Sequence, residues 1–144
     1  MVVTADTSFL FSLFGHDVHS PRALAWVQAN PRPLVISELT EFELANAFRF
    51  AEFCGRLAAG QAAKYWAYYE ADRGAGRVRV EICNLAEILV EAKRLSSIHT
   101  LAGGHRSFDI LHVAAARKLG GEYFLTFDAN QRLLAQAESL LVPL

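Results

Sequence analysis

Four carboxylates stand at places where a charge needs a reason. Asp6 separates "MVVTA" from "TSFLFSLF", and Asp128 directly follows "EYFLTF". Glu43 lies within "FELANAF" and Asp109 within "FDILHVAAA". Taken singly, each has a structural explanation. An Asp ahead of a helix is most often an N-cap. Gln131, three residues after Asp128, completes a capping-box pattern. Ser107 or Asp109 can cap the helix they begin. Glu43 joins Glu38 and Glu41 in an acidic helix start favoured by the dipole. Taken together, the four point to more. Glu43 and Asp109 sit among core-type residues, where a carboxylate is costly unless it is paired or bound to a cation. Acids that meet without basic partners repel and raise one another's pKa, and a divalent cation removes that repulsion. Oxygen donors with no His/Cys set point to Mg²⁺ or Mn²⁺ rather than zinc.

For the acids to meet, the chain must bring them to one edge. "MVVTA", "PLVIS" (33–37), "RVRVEI" (77–82) and "EYFLTF" (122–127) read as short strands. Between them lie helical stretches: one from Thr7 or Ser8, then 19–31 with Ser20 as N-cap and Pro21 at the first helical position. Further helices are expected over 38–55 with Gly55 as the stop, 58–74, 85–99, 108–121 and 128–138. Lys93, Arg94 and His99 suit the C-terminal end of the 85–99 helix. "TLAGGHRS" (100–107) reads as a loop broken by Gly103 and Gly104, and "SLLVPL" as a last short strand or tail. Strands alternating with helices argue a parallel sheet covered on both faces. Ligands of such sheets sit outside the carboxyl ends of the strands. If the first strand and "EYFLTF" are neighbours, Asp6 and Asp128 share that edge, and the helices carrying Glu43 and Asp109 face the same crevice.

The 144 residues suit one domain, 1–144, with a substantial core. With 53% hydrophobic residues and a mean hydropathy of +0.20, the chain has apolar surface to spare for a partner. No apolar run reaches the roughly 18–20 residues of a membrane span. No basic segment precedes the first apolar stretch, which argues against a signal peptide. Cys54 and Cys83 form neither a metal pattern nor a disulfide framework, so a reducing cytoplasm is expected. The net charge of −1 leaves nucleic acid open, because phosphate binding needs only a local basic patch.

At "ADTSFL" (Asp6), "ELTEFELANAF" (Glu43), "RSFDILHVAAA" (Asp109) and "FLTFDANQ" (Asp128), the sequence resembles the PIN-domain ribonucleases, specifically the VapC-type toxins of toxin–antitoxin pairs. The resemblance spans nearly the whole chain. It implies a three-layer α/β/α sandwich with a central parallel sheet. Asp6, Glu43 and Asp109 would be the core acids and Asp128 the more variable fourth, together serving as metal ligands and catalytic residues. Thr7 and Thr126 match positions where the family often carries a hydroxyl. His105 and Arg106 are a departure just ahead of Asp109, and Arg106 is a candidate substrate contact.

The implied activity is metal-dependent hydrolysis of RNA phosphodiester bonds, with Mg²⁺ or Mn²⁺ activating a water. Implied partners are the RNA substrate, a cognate antitoxin peptide across the active-site groove, and a second copy in a homodimer. Candidate RNA contacts are Arg49, Arg56, Arg73, Arg77 and Arg79. Trp66, Tyr68 and Tyr69 offer stacking surfaces, although their helical spacing also suits a core or an interface. His112, one turn after Asp109, either touches the site or is a hydrogen-bonded core histidine. Two other readings compete. One is a non-catalytic RNA- or protein-binding module of the same fold. The other is a phosphoryl-transfer enzyme using Asp6 as nucleophile, which is disfavoured because Ser8 stands where a second Asp is expected.

Overall fold

The computed structural model describes residues 1–144. Four parallel strands, β1 (Val3–Ala5), β2 (Leu34–Ser37), β3 (Val78–Glu81) and β4 (Tyr123–Leu125), lie in the order β3-β2-β1-β4. Seven helices connect and flank them: α1 (Thr7–Phe14), α2 (Ser20–Ala29), α3 (Glu38–Phe53), α4 (Gln61–Gly74), α5 (Leu85–Gly103), α6 (Ser107–Lys118) and α7 (Ala129–Ala137). Strand alternation assigns the two faces. Val3, Ala5, Leu34, Ile36, Val78 and Leu125 pack against α1 to α4, whereas Phe124 packs with α5, α6 and α7. The result is the expected α/β/α sandwich. β1 pairs with β4 in register from Val3↔Tyr123 to Ala5↔Leu125, so Asp6 emerges at the same edge as Thr126 and Asp128. No helix is long and apolar enough to cross a membrane.

Several local expectations change. Ser20 is the first residue of α2 rather than its cap; the cap position is His19. The Ser20 hydroxyl instead donates to the Ser12 carbonyl (2.6 Å) and accepts from the Asp17 N–H (2.9 Å), tying α1 to the turn that follows it. α4 starts at Gln61, because Ala58–Gly60 form a turn in which Gln61 Oε1 accepts from the Ala58 N–H. α3 ends at Phe53, one turn residue short of Gly55, which adopts φ +74°. α5 continues through residues 100–103, read above as loop. Gly104, at φ +66°, ends it, and its N–H returns to the Thr100 carbonyl. Gly103 stays helical but leaves room for His105, whose Nε2 would lie 2.3 Å from a Cβ there. Neither Ser107 nor Asp109 caps α6; the cap position is Arg106, whose side chain is turned elsewhere. The tail contributes one bridge, Leu141 to Tyr123.

The longer α5 moves Arg94 and His99 into the middle of the helix, where they find acids instead of a helix end. Glu138, after α7, receives Arg94 (2.6 Å), His99 (2.7 Å) and Arg117 of α6 (3.3 Å). Glu91 of α5 pairs with Arg94 (2.8 Å) and Arg117 (2.7 Å). This network fixes α5, α6 and α7 relative to one another, and two of those helices carry or follow candidate site acids. Arg94 and Arg117 bring the Glu91 carboxyl down to about 2. Burial raises Glu138, but Arg94 and His99 outweigh it and leave the carboxyl low. Carboxyls lowered on folding stabilise the protein above the ordinary carboxylate range, and that contribution is lost as pH falls toward 2. Glu138→Gln is expected to cost ~1 kcal/mol at pH 7, about 2–4 °C in Tm, with a shallower loss of Tm between pH 5 and 3. An unchanged Tm and acid profile would show that the network contributes nothing.

Candidate active site

The end of β1 sets the position of Asp6, and the start of α1 sets its chemistry. Asp6 Oδ1 accepts from the Phe9 N–H (3.0 Å) as the N-cap and from Ser8 Oγ (2.7 Å). Its Oδ2 accepts from Thr126 Oγ1 (2.5 Å), which comes from the end of β4. Thr126 Oγ1 in turn accepts from the Asp128 N–H (3.0 Å), and Ser8 Oγ accepts from the Phe127 N–H (3.0 Å). Two neighbouring parallel strands are thus stitched together at their carboxyl ends by one carboxylate and two hydroxyls. Asp6 is 2% exposed. Burial raises its carboxyl pKa, and the hydrogen bonds from Thr126, Phe9 and Ser8 offset this only in part.

The other acids arrive from three helices. Asp128 caps α7 by accepting from the Gln131 N–H (2.9 Å). The reciprocal half of the capping box is missing: the Gln131 side chain is buried with its Nε2 unpartnered. Asp109, in the first turn of α6, accepts from Arg106 Nε (3.0 Å), and Arg106 Nη2 lies 3.9 Å from Asp128. Glu43, half-buried on α3, bonds His112 Nε2. His112 is buried, with Nδ1 at 3.1 Å from Thr40 Oγ1 and Nε2 at 3.5 Å from Thr7 Oγ1. It is a hydrogen-bonded core histidine and it also touches the site. Burial pushes the Glu43 carboxyl up, but His112, Thr7 and Arg106 together bring it below its ordinary value.

Asp6, Glu43, Asp109 and Asp128 line one open cleft of about 480 Å³, with Thr7, Ser8, Phe11, Phe50, Arg56, Arg106, His112 and Gln131 among its walls. Thr126 lies behind Asp6 rather than in the wall. A second depression of about 430 Å³ adjoins the first and shares Glu43, Arg106 and Asp109 with it. The expectation of acids without basic partners is corrected: Arg106 pairs with Asp109 and lies near Asp128, and His112 holds Glu43. Buried acids recruit whatever cation the chain offers. As they stand, no three His, Cys, Asp or Glu side chains are close enough together to form a ready metal site. The residues suit a hard divalent cation by their all-oxygen donor set and by the incompletely compensated Asp6 carboxylate, not by a preformed coordination sphere.

Most of the other basic and aromatic candidates lie elsewhere. Arg73, Arg77 and Arg79 pair with Glu41, Asp72 and Glu81. Arg49 borders a separate depression, and among this group Arg56 alone lines the cleft. Tyr69 is a core residue whose hydroxyl donates to Glu41 (2.5 Å), Trp66 packs against the same core, and Tyr68 is half exposed. Two polar wall residues lie outside the sequence reading of the site: Ser8, which reads there as a helix start and as the residue in place of a second Asp, and Gln131, which reads as a capping partner.

A family model for the PIN domain matches residues 3–137. The chain belongs to the PIN-domain family. A sequence search of curated proteins gives no match. Among solved structures, this PIN chain is similar to VapC20 of Mycobacterium tuberculosis, described as a sarcin-ricin loop cleaving toxin, with TM-score 0.70, 19% identity, and 96% of each chain covered. It is also similar to PAE2754 of Pyrobaculum aerophilum (TM-score 0.63, 17% identity, 99% of this chain and 83% of that one). A third is FitAcB of Neisseria gonorrhoeae (TM-score 0.61, 18% identity, 98% and 96%). At these identities the likeness is one of PIN fold.

The raised Asp6 carboxyl has a consequence for stability. A carboxyl whose pKa rises on folding costs stability above its folded pKa, and the cost disappears once it is protonated in both states. In Asp6→Asn, the amide oxygen can still accept from Phe9 and Ser8, and the amide N–H can donate to Thr126. At neutral pH the variant is expected to melt above wild type. The gap should close as pH falls through the raised Asp6 pKa toward the ordinary range. A Tm below wild type at every pH would contradict this assignment of charge.

Proposed function

We propose that this PIN protein is a metal-dependent endoribonuclease that hydrolyses RNA phosphodiester bonds, and the toxin of a toxin–antitoxin pair of VapC type. The observation that carries the reading is the convergence of Asp6, Glu43, Asp109 and Asp128 on one cleft at the carboxyl edge of a parallel sheet. Support for the toxin assignment is the fold likeness, over 96% of each chain, to a sarcin-ricin loop cleaving toxin. In this reading the four acids hold Mg²⁺ or Mn²⁺. Such an ion supplies charge neutralisation at a phosphodiester and activation of a water. Ser8 and Thr126 fix the Asp6 carboxylate, and His112 with Thr7 fixes Glu43. Arg56 on the cleft wall attracts the RNA backbone. Exposed apolar side chains of α3 (Phe42, Phe50, Phe53) and α5 (Val90, Ile98, Leu101) suit contact with an antitoxin and with a second copy in a homodimer. The protein would act as a single domain in the cytoplasm.

One observation favours the alternative of a non-catalytic RNA- or protein-binding module: Arg106 already pairs with Asp109, and His112 already hydrogen-bonds Glu43, acids that a metal would use. Such a module would bind RNA or protein without binding Mn²⁺.

Asp6→Asn is expected to lower RNA cleavage by at least about 100-fold, a loss of ~2.7 kcal/mol or more in transition-state stabilisation, in a variant that still folds. Expression of the chain alone is expected to arrest growth, and the same substitution to relieve the arrest. Cleavage at wild-type rate by Asp6→Asn would overturn the metal-binding role of Asp6. A harmless wild type with intact cleavage would overturn only the toxin assignment.

A further inference from the structure

Arg106 has an unusual position for a side chain that pairs with a buried acid, Asp109. It occupies the cap position of α6 but gives no cap. Its guanidinium bonds Asp109 through Nε at 3.0 Å and approaches Asp128 through Nη2 at 3.9 Å. The two partners of the close pair differ in burial: the Asp109 side chain is 12% exposed and that of Arg106 is 78% exposed. The cation thus comes from the solvent side and is attached to the protein only through its backbone and these acids. It also lines both the main cleft and the adjoining depression, so it stands on the ridge between them.

Resting on the nuclease reading, we propose that Arg106 is an exchangeable counter-ion. It holds the Asp109 and Asp128 carboxylates until a divalent cation takes them, and then turns to the RNA backbone at the junction of the two depressions. Three physical points support the exchange. An exposed ion pair contributes little, so releasing it costs little. A divalent ion carries twice the charge of a guanidinium and attracts each carboxylate it reaches correspondingly more strongly. A guanidinium presents five N–H donors in a fixed fork suited to two phosphate oxygens. Released at the ridge, it faces a polymer lying across both depressions. Arg106 is therefore a positioning residue for RNA and a competitor of the metal, and its removal acts on the two ligands in opposite directions.

The test needs no turnover. Calorimetric titration of Mn²⁺ into the full chain, without RNA, compares wild type, Arg106→Gln and Arg106→Lys. Arg106→Gln is expected to bind Mn²⁺ about three- to tenfold more tightly, and Arg106→Lys to stay near wild type because it keeps the competing charge. With Mn²⁺ saturating, anisotropy of a labelled 2′-O-methyl RNA oligonucleotide, which resists cleavage, is expected to show about tenfold weaker binding to Arg106→Gln. Arg106→Lys should fall in between, having charge without the fork. Equal or weaker Mn²⁺ binding by Arg106→Gln, with wild type binding normally, overturns the exchange and leaves the nuclease reading standing. Unchanged RNA affinity overturns the positioning role. Failure of both wild type and Arg106→Gln to bind Mn²⁺ removes the metal-dependent reading and the exchange with it.

Discussion

The carboxylate of Asp6 is the contact on which the rest of the site depends. It is buried, it caps α1, and it receives hydroxyls from both sides of the junction between β1 and β4. A buried carboxylate with this many donors is stabilised in place but not fully compensated, which is why its pKa stays raised. The parallel register of β1 and β4 makes the arrangement possible, because it brings Thr126 beside Asp6 with a chain separation of 120 residues. The remaining acids are then delivered by helix starts and by α3, each held by a partner of its own. The site is a set of negative charges that the fold assembles and only partly neutralises.

That arrangement links stability and function in opposite senses. The Glu138 network gains from its charges, because Glu138 and Glu91 each face both Arg94 and Arg117. The cleft does not: its acids outnumber the cations that reach them. Folding energy from the apolar layers offsets this repulsion, and a ligand cation is the natural way to relieve it. Proteins commonly hold such locally unfavourable sites where they work.

Much of this was legible in the sequence, for physical reasons. Short apolar runs ahead of Asp6 and Asp128 define parallel strands and their carboxyl edge, and apolar surroundings mark Asp109 as a buried charge, whereas Glu43 in similar surroundings is only half-buried. An Asp that caps a helix and an Asp that lines a site proved to be the same Asp at both 6 and 128. What was not legible depends on partners distant in the chain. Arg106 and His112 meet acids brought to them by the fold, and spacing alone does not distinguish a loop arginine from a counter-ion. The length of α5 was missed because Gly103 reads as a breaker; here it remains helical to admit the His105 ring. Arg94 and His99 looked like helix-end cations because the helix appeared to stop early. The Ser8 bridge needs the β1–β4 pairing, and the unpartnered Gln131 amide needs the packing around it.

In the metal-dependent reading a divalent cation binds in the cleft that the four acids line. Crystals of the wild-type protein soaked in Mn²⁺ and examined by anomalous diffraction would locate such an ion. The expected result is a peak inside the cleft, bound by carboxylate oxygens from at least two of Asp6, Glu43, Asp109 and Asp128, with Asp109 turned away from Arg106. Crystals that diffract well and show no peak there, with the Arg106–Asp109 pair intact at saturating Mn²⁺, would contradict it.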